Sequence, residues 1–307
     1  MTPKIAILLC TYNGALYLRQ QLDSLIAQTF SDWAIYASDD GSVDETREIL
    51  LAYQRQLGKN RMVIFDGPQQ GFAKNFMSLI KNATIISDYY AFSDQDDVWF
   101  PDKLERSLAH LKDSPADVPA MFCSRTRLID ADGHIIGFSP LFKKKPSFRN
   151  ALVQSLAGAN TMLLNQVAKA LLAQTHDDAH IVSHDWLTYL LVSGSDGKVV
   201  YDPLPTLDYR QHGANLIGSN SGLADRWVRV RKMFAGTFRD WTEHNLNALG
   251  STCERFTKDN RKALAYFKKS RESSFIARVY LLKKAGVYRQ TPFGTIGLIV
   301  AASIRRI

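Results

Sequence analysis

The first 112 residues alternate strand-like and helix-like patterns, and that alternation restricts the chain to an open sheet with crossover helices. Residues 4–10 form a continuous apolar run, and residues 15–28 set Leu18, Leu22, Leu25 and Ile26 on one helical stripe. Residues 33–38 read as a second strand. The spacing of Ser42-Val-Asp-Glu45 then predicts a capping box and a helix to about Gln56. Residues 61–65, a short helix over 73–81 and a strand over 89–93 continue the alternation. Strands joined in this way run parallel through right-handed crossovers, with helices on both faces. Such sheets bind ligands outside the carboxyl ends of their strands.

The last of these strands runs straight into acid, in Tyr90-Ala-Phe-Ser-Asp-Gln-Asp-Asp-Val-Trp99. The carboxylates of Asp94, Asp96 and Asp97 repel one another. A divalent cation such as Mg²⁺ or Mn²⁺ relieves that repulsion while also taking oxygens from a substrate diphosphate. Taken alone, the same residues are equally compatible with a solvated acidic turn.

A further helix is expected from near Pro101 through Leu104, Leu108 and Leu111. Residues 120–129 read as one strand, Ile129-Asp-Ala-Asp-Gly133 as a turn and residues 142–149 as a basic loop. Ala157-Gly-Ala-Asn160 leads into a strand over 161–164 and a helix over 166–174. His184-Asp-Trp186 opens an apolar helix, and residues 199–201 and 207–209 are short strands. Cys10, Cys123 and Cys253 are odd in number and far apart, unlike a zinc site or a disulfide framework, which fits a reducing cytoplasm. The opening apolar run is too brief for a signal peptide or a membrane span.

Charge divides the chain. Residues 1–224 carry 20 Lys and Arg against 24 Asp and Glu, whereas residues 225–307 carry 18 against 6, within a net charge of +8. The basic region reads as helical and ends in Pro292-Phe-Gly-Thr-Ile-Gly-Leu-Ile-Val-Ala-Ala-Ser-Ile304. That tail is too short to cross a bilayer. An interfacial helix with a basic face would suit a peripheral protein on an anionic inner leaflet, and the same helices could mediate homo-oligomerisation. Packing on the chain's own domain is the preferred reading.

Loop signals at the strand ends carry a resemblance. Thr11-Tyr-Asn-Gly14, Asp39-Asp-Gly-Ser42, Gly71-Phe-Ala-Lys-Asn75 and Ser93-Asp-Gln-Asp-Asp97 occur in the order and spacing of the inverting GT-A glycosyltransferases, the large family that includes bacterial polysaccharide synthases. Residues 4–220 carry the match. Phe92-Ser-Asp-Gln-Asp-Asp-Val-Trp99 and Tyr209-Arg-Gln-His-Gly-Ala-Asn215 look most like its rhamnosyltransferase branch.

The resemblance implies a catalytic domain over residues 1–224, with a nucleotide-binding half to about 112 and an acceptor half beyond, followed by a helical region over 225–307. It implies that Thr11, Tyr12 and Asn13 line the nucleotide pocket, with Tyr12 against the base, and that Asp39 or Asp40 accepts the base's ring N–H. Lys74 would meet the diphosphate or donor sugar. Asp94 would sit near ribose and metal, Asp96 would be the principal metal ligand, and Asp97 would face donor sugar or metal. His212 would add a metal ligand from a late loop, where Arg210 and Asn215 suit phosphate. Gln95, between the acids, is expected to be unremarkable. Asp185 would be the base that inversion requires, with His184, which replaces an acid usual in the family, as base, orienter or structural residue. Trp99 and Trp186 would offer platforms for sugar rings.

The expected function is metal-dependent, inverting transfer of a sugar, L-rhamnose from dTDP-rhamnose, to a surface polysaccharide or lipid-linked saccharide. A UDP-hexose donor on the same fold is the alternative. A nucleic-acid-binding protein, suggested by the basic region, lacks any recognised binding module.

Overall fold

The computed structural model describes residues 4–212 and 237–307. Every residue of β1 (Ile5–Thr11) is buried, with successive side chains serving opposite faces of the sheet. Ile5, Ile7 and Leu9 enter one core cluster and Ala6, Leu8 and Cys10 the other. This division follows from the two-residue period of a strand covered on both sides. After helix α1 (Ala15–Ile26), strand β2 (Trp33–Asp39) pairs parallel to β1. Helix α2 (Thr46–Leu57), strand β3 (Met62–Asp66), helix α3 (Phe72–Lys81) and strand β4 (Tyr89–Ser93) repeat the unit, β3 on β2 and β4 on β1, all parallel.

The chain then leaves the large sheet through β5 (Val98–Trp99) and α4 (Lys103–Leu111). It returns in β6 (Ala120–Ser124), moves out again through β7 (Arg127–Ile129) and β8 (Ile135–Phe138), and passes the short helix α5 (Phe148–Ala151). Strand β9 (Leu163–Asn165) lies antiparallel between β4 and β6. Helices α6 (Gln166–Ala173) and α7 (His184–Gly194) and strands β10 (Lys198–Asp202) and β11 (Leu207–Arg210) follow. The seven-stranded sheet has the order β10-β6-β9-β4-β1-β2-β3, and a second sheet the order β5-β11-β7-β8. This is the expected mainly parallel α/β architecture.

The C-terminal region is helical, as expected, with α8 (Thr237–Ala248), α9 (Lys258–Glu272), α10 (Phe275–Ala285) and α11 (Pro292–Ser303). Leu246, Phe256, Phe267, Leu282 and Leu298 belong to the same buried cluster as Leu8 of β1 and Leu190 of α7. The helices therefore complete one sheet face. The anticipated boundary at residue 224 lies outside the described residues, as does Asn215.

Two local expectations are corrected, and one strand was not anticipated. Ser42 does not cap α2, whose N-cap is Glu45 without a side-chain cap; Ser42 Oγ instead donates to Asp39 Oδ1 (2.5 Å) and accepts from the Asn13 N–H (2.9 Å). The run 120–129 is two strands in different sheets, because the chain breaks at Arg125 and Thr126. Strand β8, three of whose four residues are exposed, lacked the apolar alternation that would have marked it.

Candidate active site

Loops at the carboxyl ends of β1, β2 and β4 meet in one place because Thr11 is in register with Asp39 and Leu9 with Ser93. Thr11 Oγ1 donates to Asp39 Oδ1 (2.9 Å), and the Ser42 N–H donates to Asp39 Oδ2 (3.1 Å). Asp40 accepts the Gln69 and Gly71 N–H groups, one on each oxygen, at 2.6 and 2.9 Å. Both acids are buried, and both stabilise turns. A carboxylate has about four acceptor positions, so these bonds leave capacity for a ligand donor. Asn13 adopts the left-handed conformation (φ 47°), and its Oδ1 accepts the Val43 N–H. The Tyr12 ring is exposed beside this frame.

Gln95 corrects an expectation. Its Oε1 accepts the Tyr12 N–H (2.8 Å) and its Nε2 donates to the Tyr12 carbonyl (3.0 Å), so the residue between the acids clamps the first loop. Gly14 accommodates that clamp, since a Cβ there would lie 2.2 Å from Gln95 Oε1. Only the fold reveals this pairing.

The small sheet assembles the acidic centre. Strand β11 runs antiparallel to β5, pairing Leu207 with Trp99 and Asp208 with Val98, so the residues after β11 return across the acid loop. His212 Nε2 lies 2.8 Å from Asp96 Oδ2, and both side chains are largely buried. Arg210, assigned to phosphate by the sequence, is instead a buried strut. Its guanidinium donates to the carbonyls of Asp96 (3.1 Å) and Ala131 (2.9 Å) and to Gln20 Oε1 (2.5 Å).

Asp97 is buried, with Oδ2 accepting from Asn160 Nδ2 (2.6 Å) and Oδ1 without a hydrogen-bond partner among the described residues. Burial and the charges of Asp96 and Asp94 push its pKa well up. Burial, then Asp96 and Asp185, push Asp94 up to about 7. Behind them the buried Lys103 ammonium stands 4.0 Å over the Trp99 ring. Desolvation lowers it to about 7, opposed by the charge of Asp97. Asn160 was not singled out by the sequence reading, and nothing local marks it.

These donors fit a divalent cation. Asp96 and His212 present an oxygen and an imidazole nitrogen to one another, and an enclosed carboxylate oxygen of Asp97 lacks a donor. A second set, Asp130, Asp132 and His134, sits on the exposed turn between β7 and β8. There the Asp132 and His134 N–H groups already occupy Asp130 Oδ1.

Asp185 opens α7, and its charge is felt at Asp94. Ser155 Oγ donates to its Oδ2 (3.3 Å), Oδ1 has no partner among the described residues, and burial raises its pKa. The adjacent His184 points into apolar packing: its ring stacks on Phe76 at 4.0 Å and meets Phe92 edge-on at 4.8 Å. Neither ring nitrogen has a partner among the described residues, and desolvation lowers its pKa to about 3. These surroundings match the structural alternative for His184.

The tryptophan platforms are corrected. Trp99 and Trp186 are 2% and 5% exposed, and Trp186 Nε1 donates to the Ala151 carbonyl (2.7 Å). Neither ring has a face to offer a sugar. Lys74 donates to the Asp177 carbonyl, tying α3 to the loop before α7.

The parallel sheet, the loops at its carboxyl ends and the acidic centre define a GT-A glycosyltransferase. The chain belongs to glycosyl transferase family 2, whose sequence profile matches residues 6–172. Among relatives, it is 29% identical over 230 residues to the dTDP-rhamnosyl transferase RfbG of Shigella flexneri, covering 72% of this chain and 78% of that one. An uncharacterized glycosyltransferase of Rickettsia typhi is 24% identical over 282 residues, 88% of this chain and 81% of its own. Staphylococcus aureus TarS 1-349 in complex with UDP-GlcNAc shares the fold at 15% identity, with a TM-score of 0.52 and 93% of both chains covered. The mannosyltransferase PcManGT of Pyrobaculum calidifontis, in complex with GDP-Man and Mn²⁺, aligns over all of this chain and 86% of its own, at 14% identity and a TM-score of 0.52.

Proposed function

We propose that this glycosyltransferase moves L-rhamnose from dTDP-rhamnose, with inversion, onto a cell-surface polysaccharide or lipid-linked saccharide in the cytoplasm. The observation that carries the reading is the closure of Asp96 on His212 beside Asp94, with the Asp185 charge acting on Asp94 from the start of α7. One face of that cluster suits a nucleoside diphosphate and the other an acceptor hydroxyl. The likeness to a dTDP-rhamnosyl transferase supports the choice of sugar.

In this reading Tyr12 lies against the thymine, Thr11 and Asn13 hold the pocket's rim, and Asp39 or Asp40 accepts the ring N–H. Lys74, once released from the Asp177 carbonyl, meets the diphosphate or donor sugar, and Asp94 and Asp97 orient ribose and sugar. A divalent cation held by Asp96 and His212 would stabilise the charge of the departing nucleotide as a Lewis acid. Asp185 Oδ1 removes the proton of the attacking hydroxyl while Ser155 fixes Oδ2. Burial raises the pKa of Asp185, the direction that strengthens a carboxylate as a base.

The test is donor hydrolysis and thermal stabilisation with dTDP-rhamnose, UDP-glucose and UDP-galactose, each with Mg²⁺, Mn²⁺ or chelator. Wild type is expected to respond selectively to dTDP-rhamnose with metal, and Asp96→Asn to lose that response. A response to a UDP-sugar instead would overturn the donor assignment. Asp185→Asn is expected to keep donor binding and to slow transfer by about 10²–10⁴-fold. Unchanged transfer would remove Asp185 from the base role.

A further inference from the structure

Nine of the twenty-one large apolar side chains exposed among the described residues fall between Phe275 and Ile304, eight on α10 and α11 and the ninth at the C-cap of α11. Ile276 and Phe293 are 80% and 86% exposed, accompanied by Phe275, Tyr280, Ile296 and Val300. Isolated exposed apolar residues are ordinary, but this density on two neighbouring helices is not. The helices do not lack a buried side. Leu281, Leu282, Leu298, Ala301 and Ala302 enter the core, so the exposed residues form a second apolar face.

Arg278 fixes the pair. Its buried guanidinium donates to the Ser270 carbonyl at the end of α9 (3.2 Å), to Ser273 (2.5 Å) and to Ala302 on α11 (2.8 Å). The apolar face is therefore borne on a braced scaffold.

The surrounding charge selects the occupant. From Ser273 to Ile307 there is no Asp or Glu, while Lys283, Lys284 and Arg305 are exposed. Lys284 Nζ stands 5.6 Å from the Tyr280 ring centroid, so cation and apolar surface adjoin. A second copy on this face would bring like charges together, as an isologous interface pairs a patch with itself. Nucleic acid would answer the charge but leave Ile276 and Phe293 uncovered. An anionic bilayer satisfies both: acyl chains receive the apolar side chains, and headgroup phosphates meet the lysines.

We infer that α10 and α11 form a membrane-docking face that seats the enzyme on an anionic lipid surface through Phe275, Ile276, Tyr280, Phe293 and Ile296. This docking is separate from the sugar chemistry and holds for any donor.

Co-sedimentation of the full chain with phosphatidylcholine vesicles, with or without phosphatidylglycerol, tests it. Wild type is expected to pellet with the anionic vesicles and to remain soluble with the zwitterionic ones. Ile276→Asn/Phe293→Asn is expected to lower anionic partitioning about tenfold with its melting temperature unchanged, and Lys283→Gln/Lys284→Gln to weaken it less. Wild type left in the supernatant with both vesicles, or apolar-face variants that pellet like wild type, would overturn the inference. So would a lipid-free dimer by light scattering that Ile276→Asn/Phe293→Asn converts to monomer, since the face would then belong to a second copy.

Discussion

At the residue scale, the site depends on side chains whose partners are distant in sequence. Gln95 and Gly14 form one device, the glutamine holding Tyr12 at both backbone groups and the glycine leaving room for it. Gly14→Ala displaces the glutamine, and Gln95→Ala removes it. Each single change is expected to raise the donor KM several-fold, and the double variant to match either single, because both break the same contact. A kinetic double-mutant cycle with additive losses would refute the device. Asn160→Ala strips Asp97 of its hydrogen bond and is expected to cost about 1–3 kcal/mol in denaturant unfolding. His184 is held neutral, its folded pKa near 3 lying below its ordinary 6.5. The unfolded chain therefore binds the extra proton, and His184 contributes stability that is present above pH 6.5 and lost as pH falls toward 3. His184→Phe is expected to flatten the fall of melting temperature with acid across that window.

At the element scale, strands β1 to β4 were legible because their apolar runs are covered on both faces and end in polar loops. The acids after β4 were legible for the same reason. What escaped was membership of sheets. Nothing local in residues 120–129 announces that Ala120–Ser124 joins the large sheet while Arg127–Ile129 joins the small one, since that choice is made by β11 some 80 residues later. Trp99 sits beside the acidic run 94–97 but belongs to β5, and pairing with β11 turns its ring into the core. Motif order placed Tyr12 and Asp96 in loops that meet at the strand ends, whereas Gln95 and Asn160 act through contacts that only the folded loops create.

At the scale of the whole molecule, the C-terminal helices are part of the catalytic unit's core. Phe256 lies against Gly194 at the end of α7, where an added Cβ would come within 2.6 Å of the ring, and Asn260 Nδ2 donates to the Ser193 and Gly194 carbonyls. Removing residues 237–307 is expected to expose α7 and lower the melting temperature or abolish soluble expression. Hydrogen exchange at α7 in the shortened chain would report the loss directly. Gly194→Ala is a milder probe, expected to cost about 1–3 kcal/mol through overpacking.

The pairing of Asp96 with a histidine 116 residues downstream also orders events on the ribosome. At the usual pace of about 5–20 residues per second, the acids leave the exit tunnel roughly 6–23 seconds before their partner does. Through that interval the loops after β1 and β2 can form while the carboxylates wait without His212. Chains arrested before His212 are therefore expected to carry Asp94, Asp96 and Asp97 without the imidazole that closes on Asp96 in the finished fold.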